Sequence, residues 1–406
     1  MKCITDFAEF YTNERGWTDA FKQAISALEQ CGGGLLNVPA GNYETFPIEL
    51  KSHITLSLEA GAKLLFIQDY KGFPVIKSEF EGRFTDLYMP CIYAKNAEDV
   101  TVCGQGSIDG QGSYWWENRK QLPCQRPYLI CFENCKRVKI LDVKLQNSPV
   151  WTVHPLYCED VEVRGITIRN PYDSPNTDGI NPDSSKNVRI ADCLIDVGDD
   201  CVTLKSGTEE TPTKQACENI TITNCNMVHG HGGVVIGSEM SGDVRNVVIS
   251  NCVFQNTDRG VRLKTRRGRG GNVESILISN VIMDNVVCPF VFNMYYRCGN
   301  TLPEYSDKKA LPVTEATPSL KNVQIQNCIV TDAQAAAGYF EGLPESPIKN
   351  VTISDCFIKM KKDALPEEPA MTFDREKMAQ SDFIMRNTDN VVFRNVHVEN
   401  VTDNHS

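Results

Sequence analysis

The sequence predicts an all-β fold, a single-stranded solenoid of stacked parallel strands, with a capping helix near its N-terminus. Three observations lead there: a strand-sized motif that recurs along the chain, a repeat period too long for hairpins, and a lack of helical periodicity beyond one early segment.

The recurring unit is Asn/Asp–Val/Ile–x–Ile/Val–x–Asn/Asp–Cys/Val. It reads Asp160-Val-Glu-Val-Arg-Gly-Ile, Asn187-Val-Arg-Ile-Ala-Asp-Cys, Asn219-Ile-Thr-Ile-Thr-Asn-Cys and Asn246-Val-Val-Ile-Ser-Asn-Cys. It returns as Glu274-Ser-Ile-Leu-Ile-Ser-Asn-Val and at Asn322, Asn350 and Asn390, with looser copies at Asp99 and Arg137. Alternating β-branched residues bury one face of a short strand. The flanking Asn or Asp tolerates the left-handed backbone that a tight corner needs. Copies lie mostly 23 to 32 residues apart, with a few longer insertions. That spacing suits coils stacked at about 4.8 Å, with Cys, Val and Ile in internal ladders. A β-sandwich or propeller is the competing architecture, but a blade needs about 40 residues and antiparallel hairpins.

Residues 18–31 form the capping helix: Phe21, Ala24, Ile25 and Leu28 make an apolar stripe, Thr18 is a candidate N-cap, and Gly32-Gly33-Gly34 ends it. An open solenoid end exposes strand edges and core, which gives the helix its place. The C-terminal segment ending Asn-His-Ser shows no such cap, and the Pro-rich stretches 302–318 and 363–369 read as loops within one domain, 1–406.

Composition narrows the function classes. A net charge of −11 argues against nucleic acid and anionic membrane as partners, and no apolar run reaches the roughly 20 residues of a membrane span. The opening MKCITDFAEF lacks a signal peptide's apolar stretch, and 17 cysteines cannot all pair. A reduced, cytoplasmic protein is therefore expected, with a disulfide framework as the alternative. No Cys/His cluster has zinc spacing, so neither metal nor cofactor is expected. Asn219, Asn350 and Asn400 match glycosylation sequons but lie in the strand–corner motif.

Four segments break the periodic background: Asn176-Thr-Asp-Gly-Ile, Gly198-Asp-Asp-Cys, Gly230-His-Gly-Gly and Arg262-Leu-Lys. Each follows a copy of the repeat by a similar offset of 11 to 17 residues, so a solenoid would set them on one face of neighbouring coils. Singly, an Asp-Asp or a Gly-His-Gly is ordinarily a turn, and Arg-x-Lys a charged surface strand. Together, in order, Asp178, Asp199, Asp200 and His231 with Arg262 and Lys264 make a hydrolytic constellation. Crowded carboxylates raise at least one pKa, leaving a proton to donate while ionised neighbours activate water.

The four motifs resemble those of glycoside hydrolase family 28, the polygalacturonases and rhamnogalacturonases: Asn-Thr-Asp, Gly-Asp-Asp, Gly-His-Gly and Arg-Ile-Lys. Leu263 in place of Ile is the one departure. Ile4-Thr-Asp-Phe, Val38-Pro-Ala-Gly-Asn-Tyr and Ser107-Ile-Asp-Gly-Gln-Gly extend the likeness through most of the chain. The resemblance implies a right-handed parallel β-helix and hydrolysis with inversion. It casts Asp199 as general acid, Asp178 and Asp200 as the carboxylates that hold and activate water, and His231 as support for the acid. Arg262 and Lys264 would bind the sugar carboxylate, with Asn176 beside them. A family tyrosine falls at Tyr295 or Tyr296, and the doublet leaves that choice open. Inversion calls for a carboxyl separation of about 6.5–9.5 Å, which Asp178 and Asp199 on neighbouring coils are expected to meet.

Residues 259–269 carry six cations in eleven positions and no acid, a strip suited to uronates. Arg266, Arg267 and Arg269 are read there either as sugar contacts or as a solvated loop. Lys205, His154 and the Trp115-Trp116 pair are candidate subsite residues, the tryptophans equally candidates for packing. The expected substrate is a pectic oligo- or polygalacturonate. The segment 151–155 and the 297–318 insertion look like those of bacterial exo-acting members, so release of galacturonate from chain ends is expected. Rhamnogalacturonan or xylogalacturonan hydrolysis, a calcium-dependent pectate lyase and a non-catalytic sugar-binding solenoid are the alternatives.

Overall fold

The structure, a computed structural model, describes residues 1–297, 299 and 302–400; the C-terminal tripeptide discussed above lies outside them. The chain divides into two compact units, Met1–Asp199 and Asp200–Ser406.

Within the first unit, parallel strands stack in register. Val102, Ile140, Val163 and Ile190 pair rung to rung along one sheet, and Ile48, Ile92, Ile130 and Val153 do so along another. All eight are buried. The helix spans Thr18–Gln30 and buries Phe21, Ala24, Ile25 and Leu28, as the apolar stripe required. Its N-cap is Trp17, without a side-chain cap bond. Thr18 is the first helical residue instead: its hydroxyl donates to the Arg15 carbonyl at 2.5 Å and accepts from the Phe46 amide at 2.9 Å.

Two elements escaped the sequence reading. Strands Val75–Phe80 and Arg83–Tyr88 pair antiparallel, closed by Glu81 and Gly82 at φ 50° and 74°, the left-handed pair of a tight hairpin turn. A second helix, Gly112–Asn118, buries Trp115 completely. Trp115 packs edge-on against Phe73 and Tyr114, and Trp116 Nε1 donates to the Ser148 carbonyl at 3.1 Å. Packing, not sugar stacking, accounts for Trp115.

Within the second unit the same logic gives longer strands. Ile222, Ile249, Ile278, Ile325 and Ile353 form one internal ladder, each of them buried and each contributing about 1.5–3 kcal/mol. Phe292 and Phe340 stack at 4.5 Å on the sheet formed by Asp200–Leu204, Gly232–Ile236, Arg259–Lys264, Cys288–Asn293, Ala336–Glu341 and Ser381–Arg386.

The corners are where the repeat put them. Asp160, Asn187, Asn219, Asn246, Ser275, Asn322, Asn350 and Asn390 all have φ between 54° and 59°. Their amides run rung to rung: Asn246 Nδ2 to Asn219 Oδ1 at 3.1 Å, Asn350 to Asn322 at 3.0 Å and Asn390 to Asn350 at 2.8 Å. The repeat cysteines are buried thiols. Cys252 pairs in register with Val281, and Val281 with Cys328. Hydrogen bonding to Cys225 and then burial push the Cys252 thiol up, as the Cys356 bond and burial do for Cys328. Thiols held protonated behave as small apolar side chains.

Candidate active site

In the first unit, a densely bonded loop presents Asp178. Asn170 anchors it: its Oδ1 accepts from the Ser148 amide at 2.8 Å, and its Nδ2 reaches Thr152 Oγ1 at 2.9 Å and the Thr177 carbonyl at 3.3 Å. Asn176 takes a left-handed conformation, φ 57°. Past it the chain locks onto the preceding coil, with the Thr152 amide donating to the Asp178 carbonyl at 2.8 Å and the Val153 amide to Gly179 at 2.9 Å. The Asp178 side chain is 4% exposed, and its Oδ2 accepts from Asn181 Nδ2 at 2.9 Å.

Asp199 arrives on a turn that only glycine permits. A Cβ on Gly198 would sit 2.5 Å from the Ser174 carbonyl and 2.7 Å from that of Pro171. The turn therefore presses against the loop carrying Asp178, and carboxylate oxygens of Asp178 and Asp199 lie within 4.8 Å of each other.

His154 was a candidate sugar contact. The structure packs it instead: 1% exposed, ring against Tyr128 at 4.5 Å and Trp151 at 5.0 Å, Nδ1 2.9 Å from the Asn181 carbonyl. Asn181 thus bonds both His154 and Asp178, so His154 supports the carboxylate's neighbour.

In the second unit, Asp200 opens a strand. Period-two alternation turns Arg262 and Lys264 to one face of strand Arg259–Lys264 while Val261 and Leu263 fill the core. Lys264 Nζ donates to Asp200 Oδ2 at 2.8 Å, and Arg262 Nη1 lies 3.7 Å from Asp200 Oδ1. Burial disfavours the Lys264 charge, but Asp200 and then Tyr296 outweigh it and raise its pKa. The Tyr296 ring lies 5.2 Å from Arg262 and 5.1 Å from Lys264. His231 is exposed and immediately precedes Gly232, the register partner of Asp200.

The two tyrosines of the doublet have different surroundings. Tyr295 is fully buried, its hydroxyl donating to the Asp307 carbonyl at 3.2 Å, whereas Tyr296 sides with Arg262 and Lys264. Arg267 is likewise withdrawn from the candidate sugar contacts. Its Nε and Nη2 bind Glu345 at 2.6 and 2.9 Å. Its remaining N–H groups reach the carbonyls of Glu304 at 2.8 Å, Asp307 at 2.5 Å and Lys309 at 3.1 Å. Those five bonds use every donor a guanidinium has. Arg266 and Arg269 both bind Glu209, and Arg266 also covers the Tyr305 ring at 4.2 Å.

Lys205 is buried, its Nζ 2.9 Å from Glu239 Oε2. Burial alone would raise the Glu239 pKa, but Lys205 and then Arg269 hold it down to about 2. Sequence reasoning missed Glu239, although its polar segment Gly237-Ser-Glu-Met-Ser follows Gly-His-Gly on the same coil. Asn170, Asn181 and Arg126 were missed too; nothing in the local pattern marks them, since their partners are distant in sequence.

A family model described as glycosyl hydrolases family 28 matches residues 36–372. A probable polygalacturonase of Vitis vinifera is 37% identical over 383 residues, covering 89% of this chain and 74% of its own. An endo-polygalacturonase of Pectobacterium carotovorum subsp. carotovorum is 31% identical over 315 residues, 72% of this chain and 76% of that one. Among solved structures, an exopolygalacturonase of Thermotoga maritima superposes with a TM-score of 0.83 at 30% identity, over 98% of this chain and 92% of that one. The fold is the right-handed parallel β-helix of these neighbours. With motifs, fold and family model in agreement, the chain belongs to glycosyl hydrolases family 28 and is a glycosidase.

Proposed function

We propose that this enzyme hydrolyses α-1,4-galacturonosyl linkages of pectic oligogalacturonates, releasing galacturonate from a chain end with inversion. The observation that carries the substrate class is the cation pair of the second unit. Arg262 and Lys264 are buried beside the Asp200 carboxylate, and among the described residues Arg262 Nη2 has no hydrogen-bond partner. A buried donor without an acceptor is costly, and a sugar carboxylate supplies that acceptor together with a second negative charge for the two cations. Tyr296 over both cations gives the pyranose a face to lie against.

Residue by residue, the motifs assign Asp199 as the acid that protonates the leaving oxygen, with Asp178 and Asp200 orienting and deprotonating water. His231 supports Asp199. The exo reading is supported by the Thermotoga maritima relative's description as an exopolygalacturonase and by the 302–318 segment, which Arg267 and Arg266 tie down beside Tyr295. Inversion rests on the family motifs and not on the carboxyl spacing.

Digestion of a defined galacturonate oligomer tests the whole reading. The expected first products are monomer and the oligomer shortened by one, with the β-anomer appearing first by NMR and no ultraviolet absorbance. Early mid-chain fragments would remove exo action, a leading α-anomer would remove inversion, and rising absorbance would indicate a lyase. Asp199→Asn is expected to lose at least a thousandfold in kcat while still binding the oligomer; turnover near wild type would take Asp199 out of its role.

A further inference from the structure

We infer that Arg126 is a positioning residue for Asp178, acting through Asn176, and that its guanidinium is a replaceable part of the catalytic apparatus. The inference rests on the reading of Asp178 as a reacting carboxylate.

Arg126 comes from an irregular stretch, yet it is only 8% exposed. Nη1 donates to the carbonyls of Pro149 at 2.8 Å and Pro175 at 2.9 Å, and Nη2 to Asn176 Oδ1 at 2.8 Å. The first acceptor lies just before strand Val153–Leu156. The other two belong to the turn that delivers Asp178. One planar group therefore clamps the Asp178 turn to the coil before it. Lysine, a point charge with tetrahedral donors, does not reproduce that fork.

The clamp fixes a conformation that the local sequence allows but does not enforce. Asn176 sits at φ 57°, a left-handed region that Asn tolerates better than most side chains. From there to Asp178 is two residues, and the oxygens of Asp178 and Asp199 are within 4.8 Å of each other. A shift of about 1 Å in such a pair is enough for a hundredfold loss of rate. Charge points the same way. Burial, and then Arg119, lower the Arg126 pKa to about 10, and Asp178 is among the groups that raise it. Arg126 is thus ionised at neutral pH, and by reciprocity its charge favours the Asp178 carboxylate.

The test is chemical rescue. Arg126→Ala leaves three acceptors around a guanidinium-shaped hole. We expect kcat on a galacturonate oligomer to fall about a hundredfold with KM within about threefold of wild type. Tens of millimolar guanidinium is expected to restore at least a tenth of the lost rate, and methylammonium is not. Arg126→Lys, which keeps charge and bulk, is expected to fold and still lose most of kcat. The inference is overturned by near-wild-type turnover in either variant, by a loss confined to KM, or by a rate loss that matches the unfolded fraction and resists guanidinium. Should Arg126→Ala fail to fold, the Arg126→Lys kcat decides alone. A wild-type enzyme that releases no galacturonate would refute the functional reading instead. The positioning would then be read from guanidinium raising the melting temperature of Arg126→Ala and not that of Arg126→Lys.

Discussion

Arg267→Met separates a sugar contact from an internal anchor. The methionine keeps much of the volume and removes all five hydrogen bonds, leaving the Glu345 carboxylate 4% exposed and without its cation. Breaking one partner out of a buried ion pair costs about 3–5 kcal/mol. For a cooperative unit the size of 200–406, that lowers the melting temperature by on the order of 10 °C. Burial opposes the Glu345 charge, but the Arg267 bond and backbone amides lower its pKa. The stabilisation is therefore present above the ordinary carboxylate range and disappears as pH falls through the lowered value. Thermal melts of wild type and variant at neutral and acid pH are then expected to converge toward the acid end. A second substitution, Glu345→Leu, is expected to recover part of the loss by removing the stranded charge. An unchanged melting temperature together with a tenfold higher KM for oligogalacturonate would refute this account and return Arg267 to the sugar.

Two further outcomes follow from burial and charge. The Glu239 carboxyl, held at about 2 against an ordinary 4.5, contributes about 3 kcal/mol that is fully present above pH 4.5 and lost as pH falls toward 2; Glu239→Gln is expected to flatten urea-unfolding stability across that window, and an unaltered slope would discount the Lys205 pair. Cys328→Val puts into the thiol ladder the residue already present one rung away at Val281, so a cost below about 1.5 kcal/mol is expected; a larger loss in thermal melts would show that the thiol contributes more than volume.

The coil was readable because its determinants are local. A period-two run of Val and Ile sets the buried face, and an Asn or Asp supplies the positive φ at seven of the eight corners from Asp160 to Asn390, with Ser275 at the other. The acids and cations were readable because they interrupt that pattern. What sequence could not supply was side-chain commitment. Arg262 and Arg267 look alike in the string, but among the described residues one keeps an unpartnered nitrogen while the other spends every donor on Glu345 and the 304–309 carbonyls. Tyr295 and Tyr296 differ for the same reason. The separation of Asp178 from Asp199 depended on how closely Gly198 lets two turns approach, a contact between residues more than twenty apart.

The corner asparagines pass their amides from rung to rung, so each corner bond joins a rung to its immediate neighbour. Strand Thr388–Glu399 pairs, among the described residues, with Ile348–Met360 alone. Lifting it off leaves the other strand pairings among the described residues intact, so opening is expected to begin at this edge. Hydrogen exchange would accordingly run fastest there and slow inward by steps, and a protease nick near Asn387 would shed one turn without loosening the next.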